Sequence, residues 1–327
     1  MSNNRSNSPM FDLVSHGRRG PGRDQLTPGQ VAQISRTVRR VPEVMVKVLS
    51  SGTTSVIGVQ KHLDYIGRKG ELNLETDDGQ VIRSEEAKDL LDDWDLDINE
   101  IRTREGLESV NGRELSRLVH KLMFSMPPGT PSGKVLRAVQ NFCREEFALK
   151  HRYVMALHTD EPHPHVHVIL RAMSEKGKRL NIKKPILREW RGKFASQLRA
   201  LGVEANATDR FVRGVAKRSL KDGIYRAALR GDSRHWRERP DRISSEQSAR
   251  MLHAEPASAH LRQTRTAMEQ GWLAVGNWLL ANGQRQLAAN VQQFIEQLPS
   301  PQRETERVAT VLLHTSRSIA RDQTPER

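Results

Sequence analysis

The sequence predicts an α/β layered domain followed by a C-terminal helical region, on three observations. Between residues 44 and 201, short alternating segments take turns with longer stretches of helical period. Two of the short segments, Tyr153 to Leu157 and Val166 to Leu170, are close enough in sequence to pair as a hairpin. From residue 258 to 315 the apolar spacing is helical throughout. The main order reads β-α-β-α-β-β-α, which buries its apolar faces by layering helices on a sheet.

Each element has a local reason. Residues 1–43 form an extension that is basic and rich in Ser, Asn, Gly and Pro, expected to be mostly flexible, with one helical piece near Pro28 to Val38. Val44 to Leu49 is the first strand. A helix follows from Ser55, a candidate N-cap, to Arg68, and Lys69-Gly70 closes it. Its core side is expected to be Ile57, Leu63 and Ile66, with Tyr65 beside them. Glu71 to Ile82 alternates around Asp77-Asp78-Gly79, a hairpin pattern, and Ser84 to Trp94 is the next helix. Leu118 to Met126 is a strand stopped by Pro127-Pro128-Gly129. Ser132 to Leu149 is amphipathic, with Val135, Leu136, Val139, Phe142, Cys143 and Phe147 on one side. Pro185 to Leu201 is a helix opened by proline and ended by Gly202. Residues 216–257 make an arginine-dense arm or linker, 258–315 a helical bundle or partner-binding module, and 316–327 a tail.

Composition narrows the class of partner. The 327 residues carry a formal charge of +14, a pI near 10.3 and a mean hydropathy of −0.65. Such a balance points to a polyanion, nucleic acid first and an anionic membrane surface second. The charge is uneven: residues 171–240 hold 20 Lys and Arg against 7 Asp and Glu, whereas residues 71–110 hold 14 acids against 4 bases. The basic block reads as a phosphate-binding face. No apolar run is long enough to span a bilayer and no signal-peptide core is present, so no membrane insertion and a cytoplasmic location are expected. The single cysteine, Cys143, excludes an internal disulfide and fits a reducing compartment.

The densest chemistry lies in His158-Thr-Asp-Glu-Pro-His-Pro-His-Val-His167. His165 and His167 are two apart on a strand, so both project from one face. His158 precedes them across a Pro-containing turn, where an antiparallel neighbour would bring it alongside. Three neutral imidazoles converging on a point make a metal site, and Asp160 could orient one ring. Tyr65, one of three tyrosines, is flanked by Lys61, Arg68 and Lys69, cations that would favour phenolate and hold a phosphate. A metal, a basic face and a tyrosine nucleophile together suggest chemistry on a phosphodiester that stores the bond as a phosphotyrosine linkage.

These residues resemble a known family. Val44-Met-Val-Lys-Val-Leu-Ser-Ser-Gly-Thr-Thr followed by His62-Leu-Asp-Tyr65-Ile-Gly-Arg-Lys-Gly70 is similar to the first motif of conjugative relaxases, the mobilization nucleases of the HUH endonuclease superfamily that act on plasmid transfer origins and T-DNA borders. Lys121-Leu-Met-Phe-Ser125-Met-Pro-Pro-Gly-Thr130 is similar to the second motif, and the histidine run to the third. A weaker likeness continues through Leu180-Asn-Ile-Lys and Asp209-Arg-Phe-Val-Arg-Gly214, so that it covers roughly residues 44–220.

The resemblance implies a relaxase domain over residues 44–215, with a central antiparallel sheet of HUH type flanked by helices. It implies a site- and strand-specific nick at an origin of transfer and a 5′-phosphotyrosine adduct that is piloted through a type IV secretion system. Tyr65 would be the nucleophile, and Asp160 would support a histidine or help take the phenolic proton. His158, His165 and His167 would hold a divalent metal, Mg²⁺ or Mn²⁺ first, although imidazoles also accept Zn²⁺, Co²⁺ or Ni²⁺. Ser125, Lys61, Arg68, Lys69, Lys183, Lys184 and Arg213 would contact DNA. His163 stays open between a DNA contact and support of a ligand. The implied partners are single-stranded DNA, relaxosome accessory proteins and a secretion coupling protein, with transfer of the DNA-linked form into a recipient cell. No GxxxxGK[ST] run is present, so unwinding is expected to come from the host. The alternatives are a rolling-circle replication initiator, in which the metal histidines usually precede the tyrosine, and a non-catalytic DNA-binding accessory protein.

Overall fold

A computed structural model describes residues 25–49, 54–83, 86–96, 117–214 and 256–298. The chain divides into two compact units, one of residues 40–207 and one of residues 1–39 with 208–327. The first unit is built on a six-stranded, wholly antiparallel sheet. Its strands are β1 (Met45–Leu49), β2 (Leu74–Thr76), β3 (Val81–Ile82), β4 (Val119–Ser125), β5 (Tyr153–His158) and β6 (His165–Arg171). Their spatial order is β1-β4-β6-β5-β2-β3, so the β5–β6 hairpin lies at the centre.

Alternation along the strands gives the sheet two unlike faces. On one face Val46, Leu122, Phe124, Tyr153, Met155, Val166, Val168 and Leu170 meet Val135, Phe142 and Phe147 of a helix at Ser132–Phe147 and Trp190, Phe194 and Leu198 of a helix at Lys184–Ala200. Cys143 is buried in this layer, as the amphipathic pattern predicts. On the other face Val119, Val154, Ala156 and Ile169 meet Val59, Leu63 and Ile66 of the helix Val56–Ile66, together with Leu91 and Trp94 from the segment containing the helix Ala87–Asp93. In chain order, helix α1 is Pro28–Val38, α2 Val56–Ile66, α3 Ala87–Asp93, α4 Ser132–Phe147 and α5 Lys184–Ala200. Helices α6 (Pro256–Ala281) and α7 (Arg285–Glu296) follow.

Helix α2 is capped by Ser55, whose hydroxyl accepts from the Gly58 amide at 3.2 Å. Its core side is Val59, Leu63 and Ile66, whereas Ile57, expected inside, is 67% exposed. The periodicity over so short a helix fits either choice, and the sheet selects the turn that carries Val59. After Ile66 the chain passes through Arg68, Lys69 and Gly70 at φ 50°, 54° and 98°. Two consecutive non-glycine residues in the left-handed region are costly, and such strain collects where surrounding contacts hold it.

Within residues 1–43, the helical piece expected near Pro28 to Val38 is present as α1 and packs in the second unit. Thr27 and Gln30 form a capping box, with the Gln30 amide donating to Thr27 Oγ1 at 3.3 Å and the Thr27 amide donating to Gln30 Oε1 at 2.8 Å. Ile34 of the capped α1 is buried with Trp272, Val275, Val291 and Phe294 of α6 and α7. Residues 208–214, placed in the relaxase domain by the sequence, join this unit instead: Val212 is buried in the same cluster, and its carbonyl accepts from the Trp272 indole at 2.9 Å. The pairing links positions distant in sequence, which local patterning does not report. Most of the arm at 216–257, the expected helix near Val308 to Leu313 and the tail lie outside the described residues.

Candidate metal centre and its tyrosine

The β5–β6 register puts His158 directly opposite His165, and Ala156 opposite His167. Cross-strand partners share a face, so all three imidazoles stand on the side of the sheet that carries α2. Their ring centroids are 5.1 Å (His158–His165), 4.7 Å (His158–His167) and 5.2 Å (His165–His167) apart. One ligand nitrogen from each lies within 4.8 Å of the others, and all three residues are buried.

Hydrogen bonds assign the tautomers. His158 Nε2 is 2.8 Å from the Ile66 carbonyl and must donate to it, which leaves the lone pair on Nδ1. His165 Nδ1 donates to the His163 carbonyl at 3.0 Å, which leaves the lone pair on Nε2. His167 Nδ1 is buried without a hydrogen-bond partner. Burial lowers the pKa of His158, with Arg68 and His165 acting the same way against the Ile66 carbonyl. Burial, joined by its two neighbours, lowers His167 to about 3. Two imidazoles oriented by backbone carbonyls and a third ring carrying an unpartnered nitrogen fit a divalent metal.

Tyr65 lies over this cluster from the last turn of α2. Its ring is 5.9 Å from that of His167 and 6.2 Å from that of His158, and it is 49% exposed. The left-handed turn brings Arg68 back across it, with the guanidinium 5.4 Å from the Tyr65 ring centre and 3.3 Å from His158 Nδ1. Arg68 and a metal therefore compete for the same lone pair. Asp160, expected to support a histidine, instead pairs with Arg68. The α2 turn delivers this cation to the mouth of the hairpin, where the exposed carboxylate pairs with it.

The remaining candidates divide. Ser125 is buried opposite His165 on β4, its hydroxyl donating to the Met126 carbonyl at 3.4 Å. Lys61 and Lys69 are exposed near Tyr65 in sequence. His163 is exposed and contributes its backbone carbonyl, which orients His165. Lys183 and Lys184 start α5, which packs on the opposite face of the sheet, and Arg213 belongs to the other unit. Sequence reasoning passed over His62. Its ring stacks on Tyr65 at 5.6 Å with an interplanar angle of 12° and meets His167 edge-on at 6.0 Å. Burial first, then Lys121 and His158, lowers its pKa to about 4. The i, i+3 spacing of His62 and Tyr65 on a helix was the available signal.

A three-histidine face on a central antiparallel hairpin, with a helix-borne tyrosine above it, is the arrangement that the resemblance to HUH nucleases implies. Residues 65–200 match the family described as "Relaxase: MobA/VirD2-like, nuclease domain". The chain is 24% identical over 198 residues to "T-DNA border endonuclease VirD2" of Rhizobium radiobacter, covering 56% of this chain and 46% of that protein. The protein of the same name from Agrobacterium fabrum is 23% identical over 209 residues, covering 60% of this chain and 46% of the relative. This chain thus spans a little under half the length of these curated relatives.

Proposed function

We propose that the domain nicks one DNA strand at a transfer origin and keeps the 5′ end as a phosphotyrosine. The observation that carries this reading is the contact of the Tyr65 ring with two of the three clustered histidines. His158, His165 and His167 would hold the metal, Mg²⁺ or Mn²⁺. When bound, it supplies Lewis-acid polarisation of a non-bridging oxygen of the scissile phosphate.

The phenolic oxygen of Tyr65 attacks phosphorus, and the bond from phosphorus to the 3′ oxygen breaks. The phenolic proton passes to solvent at the half-exposed tyrosine, and the departing oxygen takes up a proton to become a 3′-hydroxyl. Because one phosphodiester replaces another, the step is near balance and reverses when a 3′-hydroxyl attacks the adduct. Arg68, held by Asp160, offers its guanidinium to the phosphate oxygens as charge gathers there. Asp160 acts through Arg68 as a positioning residue. Lys61, Lys69 and Ser125 are assigned to the strand beside the nick, and His163, Lys183, Lys184 and Arg213 to contacts farther along it.

The relatives' name, T-DNA border endonuclease, supports a substrate of transferred DNA. In this reading the adduct forms in the cytoplasm with relaxosome accessory proteins, and a type IV coupling protein leads it to a recipient cell. Among the described residues no helix is long and apolar enough to cross a membrane. The test is incubation with Mn²⁺ and a single-stranded oligonucleotide carrying the candidate origin, followed by a denaturing protein gel. A shifted band is expected for the wild type and none for Tyr65→Phe. Cleavage that survives Tyr65→Phe would overturn the nucleophile assignment.

A further inference from the structure

Lys121 is a lysine with a buried side chain and no counter-ion among the described residues. Its side chain belongs to the same β4 face as Met123 and Ser125, which stand opposite His167 and His165. It is itself opposite Ile169, one row along from the histidines, and opposite Leu49 on β1. The residue is only 4% exposed. Among the described residues it makes no hydrogen bond or ion pair, and burial lowers its pKa with no acidic neighbour to oppose the effect. Its charge reaches His62, the ring stacked on Tyr65. Enclosing most of a lysine with no carboxylate beside its ammonium is costly, and an apolar residue of the same size would suit a purely structural position better. Beyond it, Lys47 and Met45 of the edge strand continue the same face and are exposed.

We infer that Lys121 is a phosphate-binding residue of this site, its ammonium holding a phosphodiester of the bound strand adjacent to the one at the histidines. The inference rests on the single-strand nicking reading above. Bound DNA supplies the missing counter-ion, and the cation fixes the register in which the next phosphate meets Tyr65. A lysine suits this place because its compact charge on a long stem reaches a phosphate from a buried backbone position.

The test compares wild type with Lys121→Met, which keeps length and apolar bulk, and with Lys150→Met, an exposed change at the turn before β5, at the far end of that strand from His158. Affinity for the single-stranded probe dT20 is measured by fluorescence anisotropy across a salt series, beside thermal unfolding and Mn²⁺ titration. Lys121→Met is expected to bind dT20 about tenfold more weakly. The slope of log affinity against log salt should fall by about 0.7, the value for one lost phosphate contact on a single strand. Its melting temperature should equal or exceed that of wild type, with Mn²⁺ binding unchanged, and Lys150→Met should keep the wild-type slope. An unaltered slope in Lys121→Met, with or without a loss of stability, overturns the inference. The nicking reading fails separately, by absence of a Tyr65 adduct on the origin oligonucleotide, which leaves the dT20 slope as a measure of Lys121.

Discussion

The two faces of the sheet come from alternate residues of the same strands, yet they are built for different ends. In β6, Val166, Val168 and Leu170 look into a layer of Phe124, Phe142, Phe194 and Trp190, whose rings meet edge-on or tilted at centroid distances of 4.9 to 6.0 Å. The intervening His165 and His167 look the other way, toward Tyr65, His62 and Arg68. One face spends its burial wholly on apolar packing, whereas the other combines apolar packing with polar groups. That second face buries three imidazoles and a lysine, at a cost in stability that the first must offset.

That contrast breaks most visibly on the apolar face. Phe124→Ala removes a ring that is wholly buried against Phe142 and Phe194, and should cost about 3–5 kcal/mol. Denaturant midpoints measure it. A loss of less than ~1 kcal/mol would mean that this face does not carry the stability of the domain.

On the histidine face, the ligand should add stability to the apolar packing against α2. Mn²⁺ at a hundred times its dissociation constant is expected to stabilise the wild-type protein by about 2.7 kcal/mol, and EDTA to remove that gain. His167→Ala should abolish the difference between the two conditions. A metal-dependent melting shift that persists in His167→Ala would place the metal elsewhere.

The sequence carried the layers further than it carried the contacts. Strand alternation and helix periodicity locate β4, α4, β5, β6 and α5 to within a residue or two, because each pattern repeats several times. The proline-containing connection from Thr159 to Pro164 makes the approach of His158 to His165 and His167 legible too. Residues whose place depends on distant elements were not legible. Ile57 and Val59 compete for one core position on α2, and only the sheet decides between them. Asp160 reads as a histidine partner until the left-handed turn at Arg68 and Lys69 is seen. Ile34 finds its neighbours more than two hundred residues away, in α6 and α7.

The acid side gives a finer comparison. In the presence of EDTA, His167 titrates near pH 3 when folded and near 6.5 when unfolded. Between these values the unfolded chain holds the extra proton, so stability is full above about pH 6.5 and falls as the pH drops toward 3. The slope for one such group is about 1.4 kcal/mol per pH unit. His62, at about 4, adds to it over the upper part of the window. Midpoints at pH 5, 6 and 7 should therefore show a shallower slope in His167→Ala than in wild type. Equal slopes would mean that this ring is not held neutral by its surroundings.

The smallest stability effect separates charge at the site from packing around it. Arg68 is about one-third exposed and its partner Asp160 about half, so their ion pair is screened and worth at most about 1 kcal/mol. Arg68→Ala leaves the left-handed backbone as strained as before, and its loss should shift the denaturant midpoint by no more than that pair. It also removes a cation 3.3 Å from the lone pair on His158 Nδ1, so calorimetric titration with Mn²⁺ should show affinity rising a few-fold. Nicking should fall in the same variant, because the guanidinium no longer meets the phosphate. Tighter metal with slower nicking would separate what Arg68 does to the histidines from what it does to the substrate. A stability loss on the scale of Phe124→Ala would instead make Arg68 part of the packing and erase the distinction between the two faces at that point.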